Sequence, residues 1–140
     1  MGALRAAELD SFGMRGIGRI YDEYKSGRVD GDDEVVLAYD PFSLVPLSEP
    51  LINFRLNICE AVNNGVISKK VADNAIAAMK NVYYPHRTGK KFAEVISSLL
   101  DEAECSSFLT YWNYNYQDYK NLDARLILED LKNNAKNLHF

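Results

Sequence analysis

Residues 50–79, PLINFRLNICEAVNNGVISKKVADNAIAAM, decide the fold class because they combine two helical stripes with clear start and stop signals. Pro50 suits the first turn of a helix, and Asn64-Gly65 suits its end. Ser68 can then cap a second helix. The apolar residues recur at the three- and four-residue spacing of a buried helix face, at Leu51, Phe54, Ile58, Cys59 and Val62 and then at Val71, Ala75, Ile76 and Met79. The stretch therefore predicts a helical hairpin.

Helical patterns continue on both sides of this hairpin. We predict helices over residues 1–11 and about 13–26 before it, and a helix around residues 92–100 after it. A last helix is predicted from about Tyr119 to Asn137, with an apolar side formed by Ala124, Ile127, Leu128, Leu131, Ala135 and Leu138. The aromatic, Asn-rich residues 111–116 are interpreted as the connection that precedes this last helix.

One segment has the composition of a strand. Val35 to Tyr39, VVLAY, is short, rich in β-branched residues and bounded by Asp40-Pro41. A buried lone strand cannot satisfy its backbone donors and acceptors, so it needs a partner segment. We therefore predict a mainly α fold, α+β at most: a single compact helical domain over residues 1–140, with about five to six helices and one short strand. An alternative is that these residues are the C-terminal part of a larger α/β protein.

Composition excludes several classes of protein. The 140 residues are 47% apolar and 26% charged, which is typical of a globular domain rather than a disordered chain. The sequence has no apolar run long enough to cross a bilayer, and we expect a cytoplasmic location. A formal net charge of −4 argues against a broad nucleic-acid interface. We expect no metal, because neither histidine has a second ligand at metal spacing, and no cofactor.

The first 24 residues, MGALRAAELDSFGMRGIGRIYDEY, concentrate glycine and arginine. The cluster Gly13-Met14-Arg15-Gly16-Ile17-Gly18 has neither the order of a dinucleotide loop nor that of a phosphate-binding loop. Gly16 and Gly18 lie within the predicted second helix, where each costs about 1 kcal/mol relative to alanine. Close approach of a neighbouring group would compensate for this cost. Tight helix packing and contact with a ligand both remain open.

Arg15 and Arg19 stand four residues apart, a spacing at which two like charges on a helix repel each other. We therefore expect an anion to neutralise both guanidinium groups. One candidate is the acidic loop of this chain, which contains Asp30, Asp32, Asp33 and Glu34. The other is a carboxylate or thiocarboxylate of a partner protein, since guanidinium groups bind such anions well.

Several sequence blocks together resemble the TfuA-like core family. They are MGALRAAEL (1–9), FGMRGIGRIY (12–21), DDEV (32–35), LSEPLINFR (47–55), GVIS (65–68) and YYPHRT (83–88), with a weaker block DARLIL at 123–128. The resemblance implies an accessory role in peptide-backbone thioamidation beside a YcaO-type enzyme, with a ThiS-like sulfur-carrier protein and, indirectly, a substrate peptide as further partners. It also implies hydrolysis of the carrier's C-terminal thiocarboxylate by a serine and lysine pair.

In the family a serine usually precedes the first block, and a further α/β portion is expected to hold the lysine. Met1 occupies the first position here, so the block supplies neither residue and no catalytic residue is assigned. Candidates for oxyanion or carrier-tail binding are Gly2, Ala3, Arg5, Glu8, Gly13, Arg15, Gly16, Gly18 and Arg19. Further candidates are the acidic residues Asp32, Asp33 and Glu34 and the helix polar residues Asn53 and Arg55.

A non-catalytic helical scaffold that binds proteins is the alternative function. It would use the Arg-rich opening and the aromatic residues 111–119. Membrane binding is not expected. DNA recognition by the helical hairpin is a weaker alternative, because Lys69, Lys70 and Lys80 would give few phosphate contacts.

Overall fold

The computed structural model describes residues 2–137. Their secondary structure is almost entirely helical, which confirms the predicted fold class. The α-helices in this range are α1 (Gly2–Leu9), α2 (Arg19–Lys25), α3 (Leu51–Asn63), α4 (Lys69–Lys80), α5 (Gly89–Ser97), α6 (Glu102–Asn115) and α7 (Tyr119–Asn137). The described residues form two compact units, a terminal unit of residues 2–32 and 118–137 and a central unit of residues 33–117.

The central unit is built on the predicted hairpin. α3 and α4 bury Leu51, Phe54, Ile58, Ala75 and Met79, which form a core together with Phe92 and Ile96 of α5 and Phe108 and Trp112 of α6. The ring centroids of Phe92 and Trp112 lie 4.4 Å apart, and those of Phe54 and Phe92 lie 4.8 Å apart. The Ser68 hydroxyl accepts a hydrogen bond from the Val71 amide, as predicted for the cap of α4.

Residues that the sequence analysis assigned to a connection form part of a helix in the structure. Residues 111–116 belong largely to α6, which begins at a capping box formed by Asp101 and Glu104. Phe108 and Trp112 lie one helical turn apart and both enter the core, so burial of this face outweighs the weak helix propensity of the asparagines. The prediction of a connection here was wrong.

The predicted strand at Val35 to Tyr39 is also wrong. It is reduced to a single antiparallel bridge between Tyr39 and Pro46. Hydrogen bonds flank this bridge, from the Asp40 amide to the Val45 carbonyl at 2.9 Å and from the Leu47 amide to the Ala38 carbonyl at 2.8 Å. Proline has no amide hydrogen to extend a ladder, so the pairing stops here.

A tight turn closes this irregular hairpin. The Asp40 carboxylate accepts hydrogen bonds from the Ser43 amide at 2.7 Å, the Ser43 hydroxyl at 2.9 Å and the Phe42 amide at 3.0 Å. These bonds to Ser43 and then to Phe42 lower the pKa of Asp40 below its ordinary value. The turn is thus held by side-chain contacts and not by a sheet.

The terminal unit packs α2 against both α1 and α7. Ile20 and Tyr24 of α2, Ala6 of α1 and Tyr119 of α7 are buried. The described part of the apolar side predicted for the last helix is largely exposed, because Ile127, Leu128 and Leu131 keep 41%, 66% and 59% of their surface accessible. Leu138, also predicted on this side, lies outside the described residues.

Candidate functional site

The glycine-rich segment between α1 and α2 is not helical. Gly13 has φ 93° and donates its amide to the Asp10 carbonyl at 2.9 Å, which closes a 3₁₀ turn at Asp10–Phe12. Gly18 has φ 99° and immediately precedes α2. The prediction that a helix starts near residue 13 and includes Gly16 and Gly18 was therefore wrong, because these backbone angles lie outside the helical region.

Close approach is nevertheless the reason for glycine at both positions. A β-carbon on Gly16 would stand 1.9 Å from the Tyr21 ring. A β-carbon on Gly18 would stand 2.3 Å from Cγ of Asp123. Side chains of the same unit thus occupy the space that a β-carbon would need, and internal packing accounts for both glycines.

Asp123 of α7 organises the start of α2. Its carboxylate is buried and accepts hydrogen bonds from the Arg19 amide at 3.0 Å and the Ile20 amide at 2.8 Å. The first amides of a helix have no acceptor within the helix and carry partial positive charge. The carboxylate therefore caps α2 across a separation of more than 100 residues.

The two arginines of this segment contact α7. The Arg15 guanidinium donates to the Asp130 carboxylate at 3.1 Å on the surface. The Arg19 guanidinium lies 5.2 Å from the centre of the Tyr119 ring, at cation–π distance. The interpretation that the acidic loop neutralises Arg15 was thus wrong, since its carboxylate partner is Asp130.

α1 carries the remaining candidates of the opening segment. Gly2 and Ala3 occupy its first two positions, so their amides have no acceptor within the helix. Arg5 forms an ion pair with Glu8 on the surface, and its side chain is 57% exposed. α1 therefore presents amide donors, a guanidinium and one competing carboxylate.

A surface ion pair ties the turn after α1 to α2. The Lys25 ammonium donates to the Asp10 carboxylate. This hydrogen bond raises the pKa of Lys25 and lowers the pKa of Asp10. The pair therefore joins residues on either side of the glycine-rich segment.

Of the acidic and helix polar candidates in the central unit, Glu34 and Arg55 pair with each other, and Asn53 and Asp33 contact residues outside the candidate set. Glu34 is 1% exposed and its two carboxylate oxygens accept from Arg55, at 2.6 Å from Nη2 and 3.1 Å from Nε. Asn53 is fully buried and donates to the Glu49 carboxylate at 3.3 Å. Asp32 is exposed and belongs to the terminal unit.

Arg87 is a buried residue that binds several backbone carbonyls and that the sequence analysis did not select as a site residue. Its guanidinium donates to the carbonyls of Asp33 at 2.8 Å, Val82 at 2.9 Å and Lys80 at 3.2 Å. Its contact with the Asp33 carboxylate is longer, at 3.5 Å. The YYPHRT block contained Arg87, but only the fold reveals its carbonyl partners.

Lys120, near the start of α7, has an altered titration. Burial lowers the pKa of its ammonium, and the charge of Asp118 partly opposes this effect. The unfolded chain therefore binds this proton more tightly, so stability rises with pH between the folded pKa and the ordinary value of about 10.4.

We expect the Lys120 side chain to lose its proton at lower pH than a lysine in a short unfolded peptide. Reductive ¹³C-methylation followed by an NMR titration measures this directly, with Lys120→Arg used to assign the signal. A Lys120 midpoint at or above that of the methylated peptide would contradict the expected effect of burial.

A family model described as TfuA-like protein matches residues 1–88, more than half of the 140-residue chain. No curated protein matches the chain. Within residues 2–137 no helix is long and apolar enough to cross a membrane, and no group of three or more His, Cys, Asp or Glu side chains is placed to hold a metal ion.

Proposed function

Because the chain belongs to the TfuA-like protein family, we propose that it is an accessory protein in peptide-backbone thioamidation. It works beside a YcaO-type enzyme and binds the C-terminal tail of a ThiS-like sulfur carrier. The observation that carries this proposal is the family match over residues 1–88, which includes the whole glycine- and arginine-rich opening segment. Thiocarboxylate hydrolysis is the activity that the resemblance implies, and we assign to α1 the binding of the carrier tail rather than that step.

The chemistry of α1 supports the binding role. Backbone amides at a helix start attract anions, and a guanidinium binds a carboxylate or thiocarboxylate through two parallel hydrogen bonds. Gly2, Ala3 and Arg5 supply both kinds of donor on one short helix. The Arg5–Glu8 pair is exposed, and such pairs contribute only about 0–1 kcal/mol, so an incoming anion can displace Glu8.

Replacing Arg5 by glutamate is expected to weaken binding of a thiocarboxylated ThiS-like carrier by at least about tenfold, since one charge-assisted contact is lost and a repulsive charge is added. Glu8→Gln should strengthen binding slightly, because it removes the internal competitor. Isothermal titration calorimetry measures both effects.

Lys69→Glu provides the matched control, because it makes the same charge change at an exposed position of the central unit. A carrier without its C-terminal residues controls for contacts outside the tail. If Arg5→Glu and Lys69→Glu weakened carrier binding equally, the change in net charge would explain the effect. The assignment of the carrier tail to α1 would then be overturned. Thioamide formation by the complete system, followed by mass spectrometry, then tests the pathway role.

A non-catalytic protein-interaction scaffold is favoured by one separate observation. α7 exposes Leu122, Leu126, Ile127, Leu128 and Leu131, which keep 39–66% of their surface accessible. Under this alternative, Leu128→Asp would abolish capture of a YcaO-type enzyme and leave carrier binding intact.

A further inference from the structure

A small cleft in the central unit contains none of the residues assigned above to the carrier tail. Its volume is about 310 Å³, at the lower end of ligand pockets, which suits one side chain better than a cofactor. The lining residues are Glu49, Phe54, Gly89, Trp112, Asn113 and Tyr116. Three of these six residues are aromatic, and one carries a carboxylate.

The Glu49 carboxylate is held in place but not neutralised. One oxygen, Oε2, accepts hydrogen bonds from the Tyr116 hydroxyl at 2.8 Å and from Asn53 at 3.3 Å. The other oxygen accepts no hydrogen bond from residues 2–135, whose side chains the structure describes. It is accessible to solvent, because every fully buried side-chain oxygen in that range has a hydrogen-bond partner. The Glu49 amide is bound as well, to the Arg87 carbonyl at 2.7 Å.

No lysine or arginine among residues 2–135 forms an ion pair with this carboxylate, including the two lysines that follow Gly89 of the cleft wall. Lys91 at the start of α5 pairs with Glu94 at 3.1 Å. For Lys90 no ion pair is found within the described range. An oriented carboxylate without a cation is therefore available on the wall of the cleft.

The aromatic walls favour a planar cation. Trp112 is stacked nearly parallel to Phe54, with 6.3 Å between centroids and 13° between planes, and its centroid lies 5.4 Å from that of Tyr116. Electron-rich ring faces attract cations, and a guanidinium both stacks on rings and binds a carboxylate in its own plane. Beside them, a β-carbon on Gly89 would have no atom within 4 Å, so a passing backbone has room there.

We propose that this cleft binds the arginine side chain of a polypeptide, with its guanidinium on the free oxygen of Glu49 and against the rings of Trp112 and Tyr116. The site stands independently of the thioamidation role, since Gly89, Trp112 and Tyr116 lie outside the matched residues 1–88. It gives the central unit a recognition function of its own, toward a basic segment of a partner or substrate peptide.

Trp112 is the only tryptophan in the sequence, so intrinsic fluorescence reports on the cleft directly. The probes are the capped tripeptides Ac-Ala-Arg-Ala-NH₂ and Ac-Ala-citrulline-Ala-NH₂, which differ in charge and little in shape, together with methylguanidinium. We expect saturable binding of the arginine peptide, about tenfold tighter than that of the citrulline peptide. Equal affinities would overturn the proposal, and methylguanidinium binding as tightly as the arginine peptide would overturn the assignment to a polypeptide.

Two variants locate the site. Glu49→Gln keeps an acceptor for Tyr116 and removes the charge, and Gly89→Leu fills the cleft from a position with free space around it. Both are expected to lose the preference for arginine while circular dichroism and the thermal midpoint stay close to those of the parent protein. Glu102→Gln, an equal charge change at the exposed far end of α6, should leave binding unchanged. Equal behaviour of the Glu49 and Glu102 variants would place the peptide elsewhere.

Discussion

Replacing Arg55 by leucine is expected to lower the free energy of unfolding by about 3 kcal/mol or more, because it leaves the Glu34 carboxylate buried without a counter-charge. Glu34 is 1% exposed, and Arg55 is the only hydrogen-bond partner of its carboxylate among residues 2–137. Arg55 itself is partly exposed, so the cost arises from the stranded acid and not from the lost arginine. Urea denaturation monitored by circular dichroism gives the value.

The double variant Glu34→Leu/Arg55→Leu separates the cost of the unpaired Glu34 carboxylate from the cost of losing the Arg55 side chain. It removes both charges, and most of the lost stability should return, because an apolar pair can replace a buried ion pair at little cost. Lys69→Leu breaks an exposed pair with Asp73 and should cost less than about 1 kcal/mol. A loss for Arg55→Leu as small as that for Lys69→Leu would show that Glu34 is hydrated after the substitution.

The double variant also bears on function. If carrier binding persists in a folded Glu34→Leu/Arg55→Leu protein, these residues are framework of the central unit. Their mutual pairing at 2.6 Å favours that outcome, since neither offers a free charge to a partner. The functional candidates with exposed charge are then Arg5 in α1 and Glu49 in the cleft.

Local signals in the sequence were sufficient to predict most of the helices. The apolar stripes and the Ser68 cap place α3 and α4 within a residue or two of their observed bounds, because these signals act over one or two turns. α6 was missed because its asparagines and tyrosines resemble a connection, and its burial depends on Phe92 of another helix. The strand failed for a similar reason, since VVLAY has the right composition but meets Pro46.

The candidate sites depended more strongly on contacts between distant residues. The glycines were identified as points of close approach, but the group that approaches Gly18 is Asp123, which no local pattern connects to it. Likewise, Arg15 was expected to find an anion, and Asp130 lies 115 residues away. Glu49 was quoted only as part of the block LSEPLINFR and was not selected as a site residue, because its cleft exists only after α3, α5 and α6 pack together.

Replacing Gly18 by alanine is expected to destabilise the terminal unit by about 3 kcal/mol or more, through two separate effects. The backbone there has φ 99° and ψ 172°, a region that is essentially restricted to glycine, and forcing alanine into it costs about 1–3 kcal/mol. The added methyl also displaces the Asp123 carboxylate, whose hydrogen bonds to the Arg19 and Ile20 amides contribute roughly another 1.5–3 kcal/mol.

Gly27→Ala distinguishes the two effects. Gly27 also has a positive φ, 72°, but a β-carbon there meets no atom within 4 Å, so this variant should show only the conformational cost of about 1 kcal/mol. Because Gly18 and Asp123 are in contact, Gly18→Ala combined with Asp123→Ala should cost clearly less than the sum of the two single changes. Additive losses measured by denaturant unfolding would mean that the carboxylate moves aside freely. The glycine would then be required by its backbone angles alone, and α7 would not fix the start of α2.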